Sequence, residues 1–336
     1  MHNIKKLDVL SVGDVVTDAF IKLDDDKAWS EERDGQKILS MPFATKIPFD
    51  HAEVIEAVGN ASNAAVAFAR LGLSSGLVSN VGEDAWGRDI INSLKSKKVD
   101  TRFVHINPDK VSNYHYVLWY KEERTILIKH EDYDYHWPRF REPDMPKWIY
   151  FSSISERAID NYHDAIADWL NRYPDIKLAF QPGTYQMNAG VEKLKRIYER
   201  SECVLLNREE AVSVFNGDYH NIHNLFDKMH EAGIKIAVIT DGPNGAYASD
   251  GTNRYKMPIY PDIGPPKERT GAGDAFSSTF VAALMLGASI EEALKWAPIN
   301  SMNVVQRVGA QEGLLTMTEL IDLLSKAPDW YKPEKF

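Results

Sequence analysis

From residue 148 to residue 240, short apolar runs alternate with stretches of helical periodicity, and this alternation constrains the chain more than any other feature. Trp148–Phe151, Leu178–Phe180, Cys203–Leu206 and Ile236–Thr240 read as buried strands. Between and beside them, stretches near 157–172, 188–200, 208–215 and 221–232 read as helices. This order predicts an α/β fold with a mostly parallel central sheet covered by helices on both faces, because each crossover must bury its apolar stripe on the sheet. Ligands in such folds bind beyond the carboxyl ends of the strands, so the residues just after each apolar run are the ones to inspect.

The first part of the chain follows the same logic less regularly. Leu7–Val12 is an apolar run that stops at Gly13-Asp14. A helix is expected over Ala61–Leu71, entered through the Gly59-Asn60 turn and ended by Gly72. An extended segment resumes at Leu77-Val78, and Asp84 opens a helix through Ile90, Ile91 and Leu94. Two regions break the alternation. A long polar stretch separates the first strand from the first helix, and Tyr114–His130 alternates around the charged turn Lys121-Glu122-Glu123-Arg124, which is a hairpin signal. The expectation is a small antiparallel β-sheet lid built from residues 18–57 with 100–136. Residues 1–17, 58–99 and 137–336 then form the main body.

With 336 residues, 44% of them hydrophobic, the chain can bury a large core. Lys and Arg number 39 against 49 Asp and Glu, a formal charge of −10 that repels phosphate backbones and anionic membranes. The expected partner is a small molecule, with no nucleic acid and no membrane. An anionic nucleotide would have to be held by backbone N–H groups, a helix N-terminus and a metal. Cys203 is the only cysteine, which rules out an intramolecular disulfide and a cysteine cluster; its apolar surroundings predict a buried, inert thiol. The first residues carry too short an apolar stretch for a signal peptide, and no window reaches the ~20 apolar residues of a membrane span, so a cytoplasmic location is expected.

The most informative motif is Thr270-Gly271-Ala272-Gly273-Asp274, followed by an apolar helix through Phe280, Val281, Ala283 and Leu284. Gly271, Ala272 and Gly273 leave backbone N–H groups open at a helix start, where partial positive charge favours a phosphate or a developing anion. Asp274 would point into the same space and could accept a hydroxyl proton as that oxygen attacks phosphorus. The alternative reading is an ordinary acidic helix start. Phe276 stands where a dinucleotide fingerprint needs its third glycine, and no P-loop occurs.

This motif resembles the signature of the ribokinase-like, PfkB-type carbohydrate kinase family. Further matches follow in the family's order: Gly13–Asp18 (GDVVTD), Gly59–Asn63 (GNASN), Asn207–Glu210 (NREE), Thr240–Gly245 (TDGPNG) and Gly309-Ala310-Gln311. The resemblance implies an ATP-dependent kinase acting on a hydroxyl of a sugar or sugar derivative, with Asp274 as general base and Gly271-Ala272-Gly273 as anion hole. It implies that Asp18, with Asp14 as a weaker candidate, hydrogen-bonds substrate hydroxyls, and that Gly59, Asn60 and Asn63 grip the sugar. Asn207 and Glu210 would position Mg²⁺ through water, and Thr240 and Gly242 would line the nucleotide. Asn303 is either an adenine-pocket residue or a structural one. Family lids commonly clasp each other, so a homodimer through the β lid is expected, with Tyr116, Leu118 and Tyr120 on one apolar face.

Departures limit what carries over. Val58 replaces a frequent first glycine, and Gln181 stands where an Asp is common. Glu268-Arg269 replaces the commoner Asp-Thr, leaving a monovalent-cation site in doubt. Rival readings are a nucleoside kinase, with Tyr114, Tyr116 or Trp119 stacking on a base, and a non-catalytic sugar- or nucleotide-binding protein. Two decoys carry no weight. Gly72-Leu73-Ser74-Ser75-Gly76 joins a helix to a strand, the reverse of a hydrolase elbow, and His220, His223 and His230 lack a carboxylate or thiol partner.

Overall fold

The computed structural model describes residues 6–336 apart from Glu122, with the side chain of Pro143 also left out. Residues 1–5 of the expected main body, and Glu122 of the expected hairpin turn, therefore lie outside the described residues. The main body is built on a ten-stranded sheet. Seven strands run parallel, in the spatial order Asp100–Asn107, Ser75–Gly82, Val9–Val12, Trp148–Phe151, Lys177–Phe180, Cys203–Asn207 and Ile236–Thr240. Ala246–Ser249, Arg254–Met257 and Glu334–Lys335 extend it antiparallel.

The alternation in sequence becomes two buried layers. Leu10, Val12, Ile149, Phe151, Leu178, Phe180, Val204 and Leu206 point to one face, where they meet Ile166, Leu170, Tyr198 and Phe226 of the covering helices. Val9, Tyr150, Ala179, Cys203, Leu205 and Val238 point to the other, against Phe68, Phe280, Val281 and Leu294. Strands buried on both faces must be apolar at successive positions, and this is why their runs stand out in the sequence. Cys203 lies fully inside the second layer, where burial pushes its thiol up, as expected of an inert cysteine.

The chain leaves Val9–Val12 to build Ser75–Gly82 on one side, and later returns to place Trp148–Phe151 on the other. The loops after these neighbouring strands diverge, opening a crevice at the carboxyl ends. Asp14 spans it, accepting hydrogen bonds from the Ser155 N–H and the Tyr135 hydroxyl, each at 2.8 Å.

Over this crevice stands a four-stranded sheet in the order Phe49–Val58, Val16–Leu23, Tyr114–Tyr120, Glu123–Leu127. Its two outer pairings are antiparallel and the central one is parallel. The hairpin turns at Lys121, with Trp119 opposite Arg124 and Tyr120 opposite Glu123. A separate ribbon, Trp29–Arg33 with Gln36–Ser40, folds on the Asp34-Gly35 turn, both residues having positive φ. Its Leu39 packs with Leu118 and Tyr120, covering part of the lid's outer face.

Residues 100–107, expected in the lid, belong instead to the main sheet. With Ser75–Gly82 and the helix Ala85–Ser96 they complete a βαβ unit, and Val104 is buried beside Ile90 and Leu94. No helix among the described residues is long and apolar enough to cross a membrane.

The helix Asn60–Arg70 buries Phe68 edge-on against Tyr150, with ring centroids 5.4 Å apart, whereas Phe43 in the polar stretch is 96% exposed. Phe68→Ala should cost about 3–5 kcal/mol through the cavity it leaves, while Phe43→Ala should stay within about 0.5 kcal/mol. Urea unfolding of the two variants against the parent measures the difference.

Candidate active site

Two cavities meet at the carboxyl end of the sheet. The smaller, of about 360 Å³, lies between the lid and the start of the helix Ala272–Met285. The larger, of about 660 Å³, lies between that helix, the helix Ile290–Val304 and the loop after Ile236–Thr240. Asn207, Thr240 and Gly273 line both, so the cavities adjoin at these residues.

Asp274 lines the smaller cavity one residue beyond Gly273, in the first turn of its helix, and is 7% exposed. Its Oδ1 accepts from the Asn60 amide at 2.8 Å and the Gln181 amide at 3.2 Å, and its Oδ2 accepts from the Asn63 amide at 2.8 Å. Burial holds its carboxyl above the ordinary aspartate range, while the three amides, which favour the charged form, pull the other way. Asn60 and Asn63, read in the sequence as sugar ligands, are thus brought to the carboxylate itself.

Asn63 is fixed from behind. Gln311 donates to its Oδ1 at 2.9 Å and to the Ala57 carbonyl at 2.8 Å, and Lys97 donates to Gln311 Oε1 at 2.6 Å. A continuous polar line therefore runs from a half-buried ammonium to Asp274. Gln311 had been quoted only as part of a motif, and Gln181 only as a departure from one. Tyr150 donates to Gln181 Oε1, which aims the other end of that amide at Asp274.

The loop before Asp274 adopts a shape that needs glycine. Gly271 has φ 80°, and a Cβ there would lie 2.5 Å from that of Ala310 and 2.6 Å from its Cα. Gly273 has nothing within 4 Å of a built Cβ, so its free side is open space at the junction of the cavities. Ala272 lines the larger cavity and Gly271 the smaller.

Asn207 and Glu210 form a reciprocal capping box: the Asn207 side chain accepts from the Glu210 N–H at 2.8 Å, and the Glu210 carboxylate accepts from the Asn207 N–H at 2.9 Å. The box presses the Glu210 carboxylate into the smaller cavity, where burial first, and then the Asp274 charge, push its carboxyl up. Gly242, at φ 49°, lines the larger cavity with Asn244, Ala246, Pro298, Ser301, Met302 and Val305.

Asp18 lines the smaller cavity beside Phe20, Ile55 and Gly59. Its Oδ1 is buried, lacks a hydrogen-bond partner among the described residues, and lies 3.4 Å from His115 Nδ1. Other residues named from the sequence lie outside both cavities. Asp14 lines neither cavity, because it is spent on joining the two diverging loops. Asn303 faces away from the larger cavity, donating to the Gly313 carbonyl at 2.7 Å. Tyr114 packs tilted between Trp86 and Tyr116 on the outside of the lid, and Trp119 packs against Lys22 and His51, so none of the three candidate base-stacking residues lines the smaller cavity. Among the histidines set aside, His230 bonds to Ile234 and Ser249, and His223 to Arg254.

Comparison with known proteins agrees with this geometry. A family profile described as pfkB family carbohydrate kinase matches residues 51–317. The ribokinase of Bacillus subtilis is 27% identical over 270 residues, covering 80% of this chain and 87% of that protein. In structure, an Arabidopsis thaliana ribokinase complexed with ribose and ATP superposes with a TM-score of 0.77 at 18% identity, over 95% of this chain and 99% of that one. A Methanocaldococcus jannaschii nucleoside kinase, a ribokinase-family member, gives 0.74 at 19% identity over 96% and 99%. With the profile spanning most of the sequence and the fold matched from end to end, the chain belongs to the pfkB family of carbohydrate kinases.

Proposed function

We propose that the chain transfers the γ-phosphoryl group of ATP to a CH₂OH hydroxyl of an uncharged sugar or sugar derivative. The observation that carries this reading is the placement of Asp274: a buried carboxylate at a helix start, held by three amides, next to the residue where two cavities adjoin. The larger cavity suits the nucleotide. The smaller suits an acceptor whose reacting hydroxyl approaches Asp274 from the lid side.

In this arrangement Asp274 orients the hydroxyl and takes its proton as the oxygen bonds to phosphorus. The open N–H groups of the Gly271–Gly273 turn stabilise charge on the transferring group, and ADP leaves through the larger cavity. The donor set also fits Mg²⁺. Asn207 and Glu210 offer hard oxygens beside the phosphate space, and among the described residues no three acids or histidines gather into an all-protein site, which suits an ion held largely by phosphates and water. When bound, such an ion would neutralise phosphate charge, with Asn207 and Glu210 holding its water shell.

The lining of the smaller cavity supports a neutral acceptor. It holds Asp18, Glu210 and Asp274 but no lysine, arginine or histidine, so an acceptor bearing a phosphate or carboxylate would meet like charge without a counter-ion. Asp18 lines this cavity and brings a carboxylate suited to a sugar hydroxyl. Tyr114, Tyr116 and Trp119, the aromatics that could have stacked on a base, do not line this cavity, which favours a sugar over a nucleoside. The ordered Asp274 disfavours a purely binding role.

The lid also supports a homodimer, through one end of the apolar face that carries Tyr116, Leu118 and Tyr120. Leu118 and Tyr120 are covered by the ribbon, leaving the row Val54, Tyr116 and Leu127 about half exposed beside Trp86, Val111 and Ile128. Two copies related by a two-fold axis would bury this row against itself.

Asp274→Ala should keep its ATP affinity by calorimetry and lose at least ~10²-fold in turnover; near-normal turnover would sink the mechanism. Because the Asn60 amide favours the charged carboxylate, Asn60→Ala should raise the Asp274 carboxyl further. The acid limb of its kcat–pH profile then moves to higher pH, and a limb that stays in place would show that the amide does not act on the base. Sedimentation velocity should find a dimer that Leu127→Glu converts to monomer; a parent protein sedimenting as monomer at micromolar concentration rejects the lid interface.

A further inference from the structure

The catalytic loop is braced from outside the main body. Arg124, on the lid strand Glu123–Leu127, reaches Glu268 with its Nη1 2.7 Å from Oε1, and the same nitrogen donates to the Thr270 hydroxyl. The side chains are 15% and 1% exposed, which makes this a buried ion pair between two separately built parts of the molecule. Glu268 is also tied to its own loop: Oε1 accepts from the Thr270 N–H at 2.9 Å and Oε2 from the Gly309 N–H at 2.6 Å. Thr270 immediately precedes Gly271, and Gly309 precedes Ala310, the residue against which Gly271 is packed. The guanidinium lies 5.8 Å from the Phe20 ring, which lines the acceptor cavity.

The monovalent cation left in doubt by the sequence does not fit here. Glu268 has its charge met by a guanidinium, and both its oxygens are engaged. A buried carboxylate robbed of its partner is costly, so the loop around Glu268 is stable in this shape only while Arg124 is present. Arg124 sits on the lid strand Glu123–Leu127, so its contact with Glu268 ties the loop to the place of the lid.

We propose that Arg124 is a positioning residue that couples the lid to phosphoryl transfer: the closed lid delivers the fixed positive charge that organises the Glu268–Asp274 loop, in place of a monovalent cation. This rests on the kinase reading above. Arg124 acts through Glu268 and Thr270, so its loss should leave the nucleotide cavity intact and impair the transfer step.

The test uses Arg124→Ala, Glu268→Gln and the double variant Arg124→Met/Glu268→Gln, with ATP and whichever of a panel of pentoses, hexoses, keto-sugar acids and nucleosides the parent turns over fastest. Arg124→Ala should lose ~10²-fold in kcat with an ATP KM within about twofold of the parent. Millimolar guanidinium ion should restore at least about tenfold of that loss while urea, a neutral isostere, restores none. The double variant should be more active than Arg124→Ala alone, because it removes both buried charges together. Parent turnover in tetramethylammonium buffer should lie within about twofold of that in potassium buffer.

An Arg124→Ala enzyme with parental kcat, or a loss that guanidinium does not relieve in a variant of unchanged thermal midpoint, overturns the coupling. Should the midpoint fall, a double variant no better than the single one overturns it instead. Stimulation by potassium of more than about tenfold overturns the replacement of the cation. A parent enzyme that releases no ADP from ATP with any of that panel of pentoses, hexoses, keto-sugar acids and nucleosides refutes the kinase reading and this inference with it, whereas the other failures leave that reading standing.

Discussion

The site depends on keeping one carboxylate charged while nearly removing it from water. An ionised aspartate loses heavily on burial unless its lone pairs are filled. Here the filling groups come from distant parts of the chain: two amides from the helix Asn60–Arg70 and one from the turn after Lys177–Phe180. The strand order brings these elements beside the helix bearing Asp274, so the charge is satisfied only after the main sheet has assembled. Behind them, Gln311 and Lys97 remove Asn63's freedom to turn away. Helix start, amides and carboxylate therefore form one object rather than a row of independent residues.

Much of the main body was legible because strands covered on both faces must be continuously apolar. Cys203–Asn207 and Ile236–Thr240 lie almost where their apolar runs place them, and the helix Arg208–Phe215 coincides with its expected span. Asp100–Asn107 was not legible as part of that sheet. An edge strand buries one face only, and its alternation of polar and apolar residues looks the same in a main sheet and in a lid. The ribbon was missed although it carried a signal: Asp34-Gly35 between two alternating stretches is a two-residue hairpin turn.

Within the site, residue types were more legible than their partners. Asp274, Asp18 and Glu210, drawn from three separate motifs, line one cavity. That Asn60 and Asn63 would face Asp274 was not legible, because a sequence shows an amide but not which acceptor, sugar or carboxylate, lies across a fold. Asn303 shows the reverse. It sits one residue beyond the cavity-lining Ser301-Met302 pair, and a single helical step of about 100° turns it toward Gly313. Asp14 and Asp18 occur in one short motif, yet one is consumed in joining two loops and the other lines the smaller cavity beside His115.

Gly271 and Gly273 look equivalent in the motif and are not. Packing demands the first, since any side chain there would drive into Ala310. Nothing in the packing demands the second: its missing Cβ would touch no atom within 4 Å, and in a helix an alanine is favoured over glycine by roughly 0.5–1 kcal/mol. The two glycines therefore answer to different demands: the first to the packing of the loop on Ala310, the second to nothing but the empty space that both cavities border.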